Sequence, residues 1–84
     1  MQLVEITWLD AQDHANKWVD AKDVEAFGDI DCSIVSVGFL VRKTDKYVTI
    51  AGDYDSVDND YGRVTKIPTS MIQTMKDLSD KLEL

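Results

Sequence analysis

Three residue types that commonly anchor small domains are nearly missing. The 84-residue chain holds one cysteine, Cys32, one histidine, His14, and one proline, Pro68. A single cysteine excludes an intrachain disulfide, and no Cys/His spacing suits a structural zinc site. A chain of this length buries a modest core, so self-association is the expected route to further burial. No apolar run approaches the roughly 18 residues of a membrane-spanning helix. No charged-then-apolar leader opens the sequence, and a soluble, reducing, cytoplasmic setting is expected.

Positive charge is scarce as well. Nine Lys and Arg face sixteen Asp and Glu, for a net charge of −7. That balance argues against a general nucleic-acid binder, because phosphate contact is driven mainly by Lys and Arg. The imbalance is uneven. Residues 1–31 carry −6, residues 32–52 carry +2, residues 53–62 carry −4 and residues 63–84 carry +1. The bases gather on a central stretch and its continuation. They are either solvated strand and turn residues or a local anion site.

What is present reads mostly as strand. Val4, Ile6 and Trp8 alternate with Glu5 and Thr7, the period of a half-buried strand. The polar stretch Asp10 to Lys17 reads as a loop. A short helix follows, with Asp20 as N-cap, Asp23 three residues on, Val19 and Val24 placed as a hydrophobic staple, and Gly28 as the C′ residue. Two turns are too few to stand alone, so this helix is expected to pack on the sheet. Val35, Val37, Phe39 and Val41 on one side, with Ile34 and Leu40 on the other, predict a central strand covered on both faces. Gly38 inside it marks a bend.

A turn at Lys43 to Lys46 leads to a returning strand, Tyr47 to Ala51. Gly52 opens a loop that closes at Tyr61-Gly62, and a strand from Arg63 to Ile67 is stopped by Pro68. Met71, Met75, Leu78 and Leu82 have helical spacing, while Ile72 and Thr74 alternate as in a strand. The combined expectation is a turn at Pro68–Ser70, a strand over Met71–Met75 and a helical end from about Asp77. Together these elements predict one domain over residues 1–84, mainly β with short helices (α+β). Its expected form is a small, strongly bent antiparallel β-barrel with an N-terminal strand and short helix.

Gly38-Phe39-Leu40 followed by Asp45-Lys46-Tyr47-Val48-Thr49-Ile50 resembles the first motif of the Sm-like family. That motif has a glycine on the bent strand, a turn Asp and a strand carrying a ligand-contacting Asn; here one extra residue lies between. Ile67-Pro68-Thr69 falls at the family's Ile-Arg-Gly turn. Thr49 stands where the base-contacting Asn would be, and Pro68 where the Arg would be. The fold resemblance therefore carries over, and the RNA-contacting residues do not. Ser36 to Val41 with the later Ile67-Pro68 is also similar to small bacteriophage proteins, over residues 32–78. The resemblance implies a phage or prophage origin, a host bacterial cytoplasm, and ring assembly through exposed edge strands.

Chemistry-bearing patterns are few. Cys32 and His14 would have to meet to form a nucleophile pair, and nothing in the sequence brings them together. Cys32 reads as a small core residue. Asp53, Asp55, Asp58 and Asp60 do not fit a calcium hand, because Val57 and Val64 fall at ligand positions and Asp58 at the required glycine. With no Gly-rich phosphate loop and no catalytic carboxylate pair, neither an enzyme nor a cofactor or metal is expected. The candidates that remain are Arg42, Arg63 and Lys66 for phosphate, Tyr54 or Tyr61 for stacking, and Thr49 at the family's ligand-contacting position. Trp18 is either a core plug or a wall for a planar ligand. Tyr54 and Tyr61 would equally suit a subunit contact.

The leading expectation is a non-enzymatic binding module. It would form a homo-oligomer and hold a small anionic, nucleotide-like ligand between subunits, in a phage setting a host immune signal. One alternative is an Hfq-like RNA-binding ring. The other is a protein–protein interaction or inhibitor module, with the acidic N-terminal third as its contact surface or as a mimic of nucleic-acid charge.

Overall fold

A computed structural model describes residues 1–79. The chain runs through strand β1 (Leu3–Leu9), helix α1 (Ala21–Gly28), and strands β2 (Ser33–Lys43), β3 (Tyr47–Asp55) and β4 (Asp60–Pro68). A single 3₁₀ turn (Thr69–Met71) then leads into β5 (Ile72–Asp77). The protein is mainly β, with all five strands in one antiparallel sheet of order β4-β3-β2-β1-β5.

One strand holds the two halves of the sheet together. The first part of β2, Ser33 to Phe39, pairs with β1, and its second part, Phe39 to Lys43, pairs with β3. The register of β2 against β3 slips between Leu40 and Arg42, which makes Val41 the extra residue of a β-bulge. Gly38 sits where the halves meet. A Cβ built there would lie 2.8 Å from the Ala51 carbonyl oxygen, while the backbone angle is ordinary for any residue. Gly38 is therefore required by close backbone approach at the bend, not by a glycine-only dihedral.

The alternation of β1 builds the core. Val4, Ile6, Val48, Ile50 and Ile67 are fully or almost fully buried, with Trp8, Leu40, Ile72 and Met75 packed against them. The Trp8 indole donates to the Ser36 hydroxyl at 3.0 Å, so its polar edge is satisfied inside the packing. The chain's beginning is tied down by the Leu40 amide donating to the Gln2 carbonyl and the Leu78 amide donating to the Leu3 carbonyl, both at 2.8 Å.

Several expectations need correction. The sheet does not close: β4 and β5 lie at opposite ends of the strand order and are not paired among the described residues. The strand β2 is central, but its second face is open at Val35 and Val37 and only half-covered at Phe39. Val35 is 62 % and Val37 53 % exposed, because register places Val4, Ile6 and Trp8 opposite Gly38, Ser36 and Ile34, and the core forms on that side. Helix α1 forms with its predicted cap, the Asp23 amide donating to Asp20 Oδ1 at 2.9 Å, yet none of its residues is buried. It does not pack on the sheet. Gly28 is the last helical residue and has no positive φ, with Asp29 as the C-cap.

The expected loop from Gly52 to Gly62 is mostly ladder. Asp53 pairs with Gly62, Tyr54 with Tyr61 and Asp55 with Asp60, leaving only residues 56–59 as the turn. Asp55 Oδ1 accepts from the Val57 amide at 2.9 Å, and Asn59 takes a left-handed φ of 58°, so local chemistry closes the hairpin tightly. The C-terminal strand starts and ends later than expected, at Ile72–Asp77. The helical end expected from about Asp77 falls largely outside the described residues. Among those residues, no helix is long and apolar enough to cross a membrane.

Candidate anion-binding face

Register brings three of the expected ligand residues into one line. Arg42 on β2 pairs with Thr49 on β3, and Thr49 pairs with Lys66 on β4. The bulge at Val41 makes this possible, because it shifts the alternation of β2 by one residue. The row lies on the face opposite Val48 and Ile67, which pair with each other in the core. Two strand spacings separate Arg42 from Lys66, about 10 Å across the sheet. Among the described residues neither of them takes part in a salt bridge. Two exposed cations flanking a hydroxyl suit an anion with two charged groups or one extended phosphodiester.

Tyr47 completes the cluster. It stands two residues before Thr49 on β3, and the Lys66 ammonium lies 4.8 Å from its ring centroid. The sequence reading did not place Tyr47 in the site. Its position two residues from Thr49 on a strand was the available signal, since residues i and i+2 share a face.

The other candidates lie elsewhere. Tyr54 and Tyr61 form a cross-strand pair with ring centroids 5.0 Å apart, and the Tyr54 hydroxyl donates to Asn59 Oδ1 at 2.8 Å. They stand five residues along the hairpin from Thr49 and Lys66, about 17 Å away. Arg63 has a left-handed φ of 51° and folds over Gly52. Its guanidinium donates from Nε to Asp53 Oδ2 at 2.8 Å and from a terminal nitrogen to Asp53 Oδ1 at 3.2 Å. This fork holds the Asp53 carboxyl below the usual carboxylate range and raises Arg63 above its own. The pair is exposed, so it orients more than it stabilises.

Trp18 is 89 % exposed in the loop before α1, so it is not a core plug. The His14 ring packs edge-on against Phe27 at 5.1 Å, and its Nδ1 accepts from the Asn16 amide at 3.0 Å. Cys32 is half-buried where the chain enters β2. Two of the hairpin acids have structural roles, Asp53 on Arg63 and Asp55 on the turn amides. Among the described residues no three His, Cys, Asp or Glu side chains are grouped to hold a metal, and no pocket is enclosed. Any ligand of this face would be held on an open surface. The chain matches no known family, curated protein or solved structure.

Proposed function

We propose that this protein is a non-enzymatic, phage-type binding module of Sm-like ancestry that works as a homo-oligomer and holds a small anionic, nucleotide-like ligand beside a subunit interface. The observation that carries this reading is the Arg42–Thr49–Lys66 row with Tyr47 at its side. The cations neutralise phosphate, the hydroxyl donates to it, and the Tyr47 ring offers a face on which a base can stack. The strand shared between two half-sheets and bent at Gly38 supports the Sm-like part of the reading. Among the described residues β4 and β5 are the edges of the sheet, which supports assembly, since such edges attract further strands.

A host immune nucleotide is the concrete ligand, and sequestering it from the host's defence is the corresponding role. Mass spectrometry of small molecules released from the denatured protein, purified from infected cells, tests this directly. The expected result is a co-purifying nucleotide that is lost in Arg42→Glu and Lys66→Glu variants. No released nucleotide, together with no thermal shift across a nucleotide panel, would defeat the reading.

A further inference from the structure

We infer that residues 10–32, the acidic arm carrying α1, dock on the outer sheet face of a second copy of this chain, against Val35 and Val37 and beside the Arg42–Lys66 row. The inference rests on the homo-oligomer part of the reading above and is independent of the ligand.

The arm is incomplete within one chain. An eight-residue helix is marginal in water without a partner surface, yet no residue of α1 is buried. Val24 and Phe27 share one helix face, and Val24, Ile30 and Trp18 are all exposed. The Asp10 amide donates to the Cys32 carbonyl at 3.1 Å, so the arm leaves and re-enters the sheet at one point. That closure makes it a projecting lobe able to reach a neighbour.

The outer face is the matching surface. Leu3, Phe39, Ala51 and Val64 are paired in turn across β1, β2, β3 and β4, an apolar row in which Val64 is exposed, Leu3 and Phe39 are half-buried and Ala51 is buried. Alternation along β2 puts Val35 and Val37 on the same face as Phe39, and alternation along β3 and β4 puts the Arg42–Thr49–Lys66 row next to it. This face also carries Thr7 opposite Val35 and Glu5 between Val37 and Lys76. With Arg42, Lys66 and Lys76 against the single acid Glu5, its charge is net positive and suits an apolar, acidic segment. Residues 10–32 carry seven acids and two lysines, a net charge of −5.

The exposed area leaves room for this contact. The chain exposes 6694 Å² at a mass of 9.5 kDa, whereas a compact monomer of that mass exposes about 5,000 Å². The radius of gyration is 16.6 Å, against about 12 Å for a compact chain of this length. The excess exceeds the roughly 800 Å² that each partner contributes to a standard protein interface.

Sedimentation velocity and native mass spectrometry from about 1 to about 100 µM protein test the arm-to-face contact. Val24→Asp alters the arm and Val37→Asp the face, at positions that are exposed in the single chain. Circular dichroism checks that each variant keeps its fold; Val24→Ser and Val37→Ser replace any that does not. The wild type should assemble, with Trp18 emission moving to the blue as concentration rises. Each variant should weaken assembly at least about tenfold, and an equimolar mixture of the two should recover part of it, because one intact arm can still meet one intact face. A wild type that stays monomeric across the range would overturn the inference. So would assembly that survives both substitutions, or a mixture no better than either variant alone. Assembly that behaves as expected with no bound anion would leave this contact standing and remove the ligand reading.

Discussion

The sheet and the arm are built by opposite means. In the sheet, long-range register gathers Val4, Ile6, Val48, Ile50 and Ile67 into a dry core, and local preferences are secondary. In the arm, local chemistry does almost everything: Asp20 caps α1, Asp31 Oδ1 accepts from the Ser33 amide at 3.0 Å, and no helical residue is buried. Side by side, the two regions show that a correctly capped helix and a stably packed helix are different achievements. Capping satisfies a few amides, whereas packing removes apolar surface from water.

The contrast breaks most visibly under core truncation. Ile6→Ala or Ile67→Ala should each cost about 2–5 kcal/mol in global stability, while Val24→Ala in α1 should change it by less than about 0.5 kcal/mol. Urea unfolding followed by circular dichroism measures both at protein concentrations low enough to keep the chain monomeric. Next in size is Gly38→Ala. Its new Cβ would meet the Ala51 backbone oxygen at 2.8 Å, a neighbour that cannot rotate away. We expect a loss of about 1–3 kcal/mol, read from the same unfolding curves.

The smaller effects sharpen the comparison. Asp20→Ala should destabilise α1 locally by about 1 kcal/mol. Hydrogen exchange should therefore quicken at the Val24 to Phe27 amides while the strands exchange as before. Smallest is the acid response. The Ser33 hydroxyl and amide lower Asp31, Arg63 lowers Asp53, and the Ser79 amide lowers Asp77. The stability these groups contribute is present above the ordinary carboxylate value of 3.8 and is lost as pH falls through their lowered values. Arg63→Gln should bring Asp53 back towards its ordinary value, which a carboxyl-carbon NMR titration would resolve.

How much of this was legible in the sequence follows the same division. The alternation of Val4, Ile6 and Trp8, the Asp20 cap and the Pro68 stop all sit within a few residues of their cause, and all were readable. Which face of β2 is covered was not, because Val35 and Ile34 are both apolar and only pairing with β1 selects between them. The acidic hairpin was read as a loop because Asp is uncommon in strands. The Tyr54–Tyr61 pair and the Arg63 fork on Asp53 hold it as ladder instead.

Of the candidate row, Arg42, Thr49 and Lys66 could be named from the sequence, whereas Tyr47 and the geometry could not. Arg42, Thr49 and Lys66 fall in line only after the bulge at Val41, and a one-residue insertion in a ladder leaves no reliable mark in a single sequence. Arg63 was separated from them by its left-handed backbone and its grip on Asp53.

Native mass spectrometry of the protein, purified from infected cells under the proposed phage reading, tests the central claim most directly, because it reports assembly and bound small molecules together. The account predicts a homo-oligomer carrying an added mass in the nucleotide range, with that mass lost in the Arg42→Glu and Lys66→Glu variants. A bare monomer at every concentration would contradict it.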